Sequence, residues 1–81
     1  MKKEENKLSD LSVGEACVVS DLFATGFLRQ RLFDLGICRS AHIECIGRSP
    51  FGDPTLFLIR GKMIAIRENE ARLIAIIREN N

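Results

Sequence analysis

The spacing of apolar residues predicts short strands interrupted by one helix. Residues 16–22 are mostly apolar and rich in valine, which favours a first strand. The period then changes, because apolar side chains recur every three and four residues, as on one face of a helix. Thr25 precedes this helix as a candidate N-cap, and Gly36 follows it where a left-handed C-cap is expected. The predicted inner face of the helix consists of Phe27, Leu28, Arg31, Leu32 and Leu35.

The second half of the chain returns to strands. Residues 41–48 alternate between apolar and polar side chains, and residues 49–54 hold two prolines and a glycine, which predicts a loop. The remaining predicted elements are a strand at 55–60, a tight turn at 60–62, a strand at 63–67, a helical turn at 68–72 and a last strand at 73–77. Short connections favour antiparallel neighbours. The predicted fold class is all-β with a short inserted helix, arranged as a small antiparallel barrel of about five strands.

Composition and charge narrow the class of protein. The 81 residues allow one domain, which we assign to residues 8–81, after a polar and presumed disordered tail at residues 1–7. Twelve Lys+Arg against eleven Asp+Glu give a net charge of +1, which argues against binding nucleic acid by bulk electrostatic attraction. The longest apolar runs, 56–59 and 73–77, are far shorter than the roughly 20 residues that cross a bilayer. No secretory signal follows the N-terminal lysines.

The cysteines indicate a reducing, cytoplasmic location. Cys17, Cys38 and Cys45 are odd in number and irregularly spaced, unlike a disulfide framework, and are expected in or near the core. Together with His42 they offer four ligands for a tetrahedral metal site. However, residues three apart on a strand point to opposite faces, and no C-x2-C pair is present. We therefore expect no resident metal and no cofactor, with weak iron binding left open.

Enzymatic activity is not expected. A single histidine cannot be placed in a triad, and neither a G-x-x-x-x-G-K-[ST] nor a G-x-G-x-x-G motif is present. Binding of RNA is also disfavoured, because the chain has no Tyr or Trp for stacking bases and its five Phe are expected mostly in core-like or loop positions.

Five sequence blocks occur in the order that is typical of one family. They are R-L-F-D-L-G at 31–36, P-F-G-D-P at 50–54, R-G at 60–61, A-I-R at 65–67 and E-A at 70–71. In this order and spacing they resemble the FeoA family, the small cytosolic proteins of bacterial ferrous-iron uptake, over residues 8–77. One departure is Arg39-Ser40, at a position where the family usually carries Pro-Gly.

The resemblance implies an SH3-like barrel and a non-enzymatic function. The implied partner is the cytosolic part of a FeoB-type membrane GTPase transporter, which the protein would modulate or assemble. Neither nucleic acid nor direct insertion into a membrane is expected, and weak formation of homo-oligomers stays open. The alternative function is a metal-responsive regulatory module that resembles the SH3-like domain of iron-dependent repressors.

Candidate contact residues are side chains that a single core is not expected to bury, or that lie on the loop or the helix. Residues 56–59 are apolar on both faces of the predicted strand, so Leu56 and Leu58 are either exposed or covered by the inserted helix. Phe51 stands at the tip of the proline-containing loop. Arg29 and Arg31 lie on the helix, where they could meet an acidic partner. These five residues form the predicted partner-binding set.

Overall fold

The computed structural model describes residues 6–79, and this part of the chain contains six strands and two α-helices. Their order is β1 (Asn6–Lys7), a 3₁₀ turn (Leu8–Asp10), β2 (Ala16–Leu22), α1 (Gly26–Asp34), β3 (His42–Arg48), β4 (Thr55–Ile59), β5 (Lys62–Ile66), α2 (Glu68–Ala71) and β6 (Ile74–Arg78). Each of the five predicted strands begins and ends within one residue of its predicted position.

The strands form one antiparallel sheet in the order β1-β6-β2-β3-β4-β5. The pairing register shifts between Val19 and Asp21 in β2 and between Cys45 and Gly47 in β3. Such bulges bend and twist a strand, which helps a short sheet to curve around its own core. One buried cluster fills that curve. Strands β2 to β6 contribute to it, and so does α1. The predicted mostly-β antiparallel fold with a short inserted helix is thereby confirmed.

Helix α1 ends where the sequence predicts. Gly36 has a φ of +95°, its N–H donates to the carbonyl of Phe33 at 2.9 Å, and the N–H of Ile37 donates to the carbonyl of Leu32 at 2.9 Å. This is a Schellman motif, which requires a left-handed residue and is often closed by an apolar contact. Leu32 and Ile37 are both fully buried in the core. At the other end, Thr25 occupies the N-cap position but its side chain makes no capping hydrogen bond.

The predicted inner face of α1 was partly wrong. Leu28, Leu32 and Leu35 pack on or within the core, but Phe27 is 97% exposed and Arg31 points to α2 rather than to the core. Phe27 lies in the first turn of the helix, next to Gly26. Residues one position apart lie on different sides of a helix, so with Leu28 packed against the core the side chain of Phe27 points to solvent.

The N-terminal segment contributes a sixth strand. Residues 1–5 of the expected tail lie outside the described residues, but Asn6 and Lys7 form β1, which pairs antiparallel with β6. Arg78 of β6 holds this segment, because its guanidinium donates to the Asn6 side chain at 2.8 Å and to the carbonyl of Asp10 at 2.7 Å. A strand of two residues is too short to show a periodic pattern in the sequence.

Candidate partner-binding surface

The outer face of β4 carries two of the five predicted contact residues. Phe57 and Ile59 point inward and are buried, whereas Leu56 and Leu58 are only partly buried and do not belong to the core cluster. The sheet register sets Leu56 opposite Ala65 and Leu58 opposite Met63. We call these four residues, Leu56, Leu58, Met63 and Ala65, the sheet patch.

The sheet patch has open surroundings. Met63 is 55% exposed and Ala65 is exposed. On the other side of β4, Leu56 faces Gly47, and a Cβ added to that glycine would meet nothing within 4 Å. Helix α1 does not cover the patch, because Leu32 is buried in the same cluster as Phe57 on the inner face of the sheet. The inserted helix therefore does not cover Leu56 and Leu58, the apolar side chains on the outer face of β4.

Phe51 projects from the loop between β3 and β4, with 95% of its surface exposed. The loop itself is held in place, since the N–H of Ser49 donates to the carbonyl of Pro54 at 3.1 Å and that of Gly52 donates to the carbonyl of Ser49 at 2.8 Å. The carboxylate of Asp53 accepts a hydrogen bond from the N–H of Glu68 at 2.9 Å, at the start of α2. A fixed loop thus presents an exposed aromatic ring.

The two predicted arginines of α1 are exposed but already bond to other parts of the fold. Arg31 forms an ion pair with Glu70 of α2 at 2.6 Å, and this hydrogen bond lowers the pKa of the Glu70 carboxyl. The guanidinium of Arg29 donates to the carbonyl of Leu22 at 3.1 Å.

A second exposed feature surrounds Phe33, which was not among the predicted contact residues. Four of the five phenylalanines are at least 47% exposed, and Phe57 alone is buried. Phe33 is 55% exposed and borders three surface cavities, of ≈ 260, ≈ 410 and ≈ 250 Å³. The sequence did hold a signal for this feature, because Phe33 follows Arg29 by four residues and therefore lies on the polar side of the predicted helix.

The thiols and the histidine do not converge on a metal. Cys17 and Cys45 are buried, Cys38 is partly buried, and burial raises the pKa of the Cys17 thiol to about 12. His42 is on the exposed side of β3, where its Nε2 lies 3.0 Å from a carboxylate oxygen of Glu79. Between residues 6 and 79, no group of three or more His, Cys, Asp or Glu side chains could hold a metal ion.

Four of the five sequence blocks of the resemblance come together around α1 and α2. Arg31 of the first block pairs with Glu70 of the last, and the loop block reaches α2 through Asp53. The end of the first block meets the R-G turn, because the side chain of Arg60 lies against Gly36. These contacts join α1, α2, the loop and the hairpin turn. The blocks are therefore architectural rather than parts of a catalytic or metal site.

A six-stranded antiparallel sheet with one packed helix and exposed aromatic side chains is typical of a small binding domain with an SH3-like fold. The family model of the FeoA domain matches residues 6–78, nearly all of the described chain, and the protein belongs to the FeoA family. Members of this family are non-catalytic accessory proteins of ferrous-iron transport. Membership confirms the predicted family and the prediction that the protein is not an enzyme.

Solved structures agree with this assignment. The FeoA protein of Chlorobium tepidum is 35% identical with a TM-score of 0.82, over 88% of this chain and 68% of that chain. Iron(II) transport protein A of Clostridium thermocellum is 32% identical with a TM-score of 0.84, over 88% of this chain but only 44% of that chain. Zinc-complexed FeoA of Stenotrophomonas maltophilia, described as a prokaryotic SH3 domain protein, is 24% identical over 89% of each chain, with a TM-score of 0.78. No curated protein matches this sequence.

The described helices are all short. None of those between residues 6 and 79 is long and apolar enough to cross a membrane.

Proposed function

We propose that this protein works in the cytoplasm as a non-enzymatic accessory protein that binds the cytosolic part of a FeoB-type GTPase transporter. Binding would modulate or assemble the transporter during uptake of ferrous iron. The observation that carries this proposal is the sheet patch, which presents four apolar side chains on the outer face of β4 and β5. Contiguous exposed apolar surface is uncommon on small proteins unless it contacts a partner.

The surroundings of the sheet patch fit a protein interface. Glu44 pairs with Leu58 across β3 and β4, so a charged side chain borders the apolar ones. An apolar centre with a polar rim is the usual anatomy of such interfaces. Removal of Leu56 and Leu58 should therefore weaken docking far more than it weakens the fold, since neither side chain belongs to the core cluster.

The remaining predicted contacts have different weights in this proposal. Phe51 is a candidate contact because its ring is almost fully exposed on an ordered loop. Arg29 and Arg31 already bond to Leu22 and Glu70. Substitution of either arginine therefore tests the fold as well as the interface, and neither is suitable as a first variant.

The test is a Leu56→Ser/Leu58→Ser double variant, titrated against the purified cytosolic part of the transporter by calorimetry. We expect the dissociation constant to rise at least about tenfold, which corresponds to about 1.4 kcal/mol, while the unfolding curve stays cooperative. The matched control is Ile77→Ser, because Ile77 is 58% exposed on β6, outside the sheet patch. The control should bind like the unaltered protein.

Three outcomes would count against the proposal. Unchanged binding of the double variant would remove the sheet patch from the interface, and a double variant that unfolds would show that both leucines belong to the core. If the unaltered protein does not bind the transporter but binds ferrous iron stoichiometrically, the alternative function as a metal-responsive regulatory module would replace the proposed one.

A further inference from the structure

Phe33 stands between two surface cavities that carry positive charge. The cavity of ≈ 260 Å³ is bordered by Arg29 and Arg39, and the cavity of ≈ 410 Å³ is bordered by Arg60 and Lys62. Phe33 and Cys38 border both cavities, so the aromatic ring forms part of the ridge between them. We call Phe33 together with these four cationic residues the Phe33 surface.

Cations outnumber anions on the Phe33 surface. The two carboxylates that border the cavities are those of Asp21 and Asp34. Asp34 already accepts a hydrogen bond from the Gln30 side chain at 3.0 Å. Asp21 lies 3.8 Å from the guanidinium of Arg39, and both side chains are well exposed, so this pair is weak. The surface is therefore positive, although the net charge of the whole chain is only +1.

Two of the cations are held in position by the fold. Arg60 has a φ of +54°, which is unfavourable for any residue except glycine, asparagine or aspartate, and its side chain packs against Gly36. Arg29 is tethered to the carbonyl of Leu22. Cations that are ordered before binding lose less side-chain entropy when they meet a ligand, so they contribute more to affinity. A left-handed arginine at a surface turn is also a strained choice where glycine would be easier, and such strain is concentrated at functional positions.

We propose that the Phe33 surface binds an acidic segment of a protein partner, with one apolar side chain seated beside the Phe33 ring and carboxylates on either side. The carboxylates would meet Arg29 and Arg39 in one direction along the segment, and Arg60 and Lys62 in the other. The proposal rests on the proposed function, in that the segment is assigned to the cytosolic part of the transporter. It adds the chemistry that this partner must present and a second docking face, which adjoins the sheet patch where Arg60 and Leu58 border one cavity.

Charge decides between this occupant and two others. A second copy of the chain, joined by a twofold axis through Phe33, would set four cations against four cations, and like charges directly opposed are unfavourable. A nucleic acid would require a larger basic excess and several stacking rings, whereas the Phe33 surface offers one ring. An acidic segment with an apolar anchor satisfies both the ring and the flanking charges.

The direct test uses two fluorescent peptides and measures anisotropy. In one peptide a single leucine is flanked by glutamates on both sides, and in the other those glutamates are replaced by glutamines. We expect the unaltered protein to bind the glutamate peptide at least about tenfold more tightly than the glutamine peptide, and the affinity to fall as salt is raised, because salt screens exposed charges. Equal binding of both peptides, no binding of either, or displacement of the glutamate peptide by a single-stranded oligonucleotide would overturn the proposal.

Variants assign the binding to this surface. Phe33→Ser should weaken binding of the glutamate peptide by about tenfold or more, while Phe27→Ser should not change it, because Phe27 lies on the same helix, is 97% exposed and borders none of the three cavities. Arg60→Asn removes a charge while keeping a residue that tolerates positive φ, and its control is Arg72→Asn at an exposed position after α2. If Phe33→Ser binds normally, the assignment is wrong.

The same variants separate this inference from the proposed function. If the cytosolic part of the transporter binds the unaltered protein and Phe33→Ser equally well, the Phe33 surface is not part of the interface, but the proposed function stands. If it binds neither of them, the proposed function fails, and the assignment of the segment to the transporter fails with it.

Discussion

The side chain of Arg60 lies so close to Gly36 that a Cβ on the glycine would approach the Cδ of Arg60 to 2.9 Å. Gly36 ends α1 and Arg60 begins the β4–β5 turn, so one contact joins the helix to the hairpin. Both residues have positive φ, +95° and +54°. The glycine thus has two roles, because it supplies the left-handed end of the helix and leaves room for the arginine.

Gly36→Ala should destabilise the protein by about 1–3 kcal/mol, since alanine pays for the left-handed conformation and also collides with Arg60. Urea unfolding measures the change. In an Arg60→Asn background the collision is absent but the conformational cost remains, so Gly36→Ala should there cost about 1–2 kcal/mol. Equal costs in the two backgrounds would mean that the packing of Arg60 on Gly36 contributes nothing.

Ser40→Gly should stabilise the protein. Ser40 has a φ of +72°, in the left-handed region that glycine adopts without strain. Its N–H donates to the carbonyl of Val19 at 2.8 Å, a backbone bond that glycine would retain. Relief of the left-handed strain, about 1–2 kcal/mol, exceeds the greater flexibility of glycine in the unfolded chain, about 0.4–1 kcal/mol.

The net gain expected for Ser40→Gly is about 0.5–1 kcal/mol, visible as a higher thermal midpoint. Ser12→Gly is the control, because Ser12 is exposed and does not have positive φ. That control should lose stability slightly. A Ser40→Gly variant that loses as much as the control would show that the strain at this position is negligible.

The Arg31–Glu70 pair should make the free energy of unfolding depend on pH. The guanidinium of Arg31 lowers the folded-state pKa of Glu70, so the contribution is complete at pH values above the ordinary glutamate pKa and is lost as the pH falls through the lower, folded value. Glu70→Gln should therefore cost about 0.5–1 kcal/mol at pH 7, because Arg31 is half-exposed and solvent screens the pair. That difference should shrink below about pH 4.

Urea unfolding of Glu70→Gln at a series of pH values measures this effect. Glu68→Gln is the matched control on the same short helix, where the carboxylate is exposed. A difference between Glu70→Gln and the unaltered protein that is the same at pH 3 and pH 7 would contradict the assigned role of the pair.

Much of the fold could be predicted from local patterns. The five long strands, the turn at Arg60-Gly61 and the glycine end of α1 depend on periodicity and turn chemistry, which act between near neighbours in the chain. The direction of Phe27 could not be predicted in this way, because the spacing alone does not say which part of the apolar stripe the core covers. Strand β1 was also missed, since two residues carry no period and their order depends on Arg78, more than seventy residues away.

For the candidate site, too, the sequence predicted the local features and missed the contacts between distant residues. The sequence indicated that Leu56 and Leu58 could not both be core, because an alternating strand buries one face, and their role in docking stays a prediction. It did not indicate that Arg31 is bound to Glu70, or that Phe33 stands between two pairs of cations, because those relationships join residues that are distant in the chain.

The sequence by itself determined the five longer strands, the two helical segments, the antiparallel pairing of strands joined by short connections, and the family, because periodicity, glycine positions and short connections constrain each segment locally. The tertiary structure alone decided which side chains remain on the surface. Exposure depends on what the rest of the chain covers: the core cluster buries the inner face of β4 and leaves Leu56 and Leu58 outside it, and the hairpin turn brings Arg60 to the end of α1.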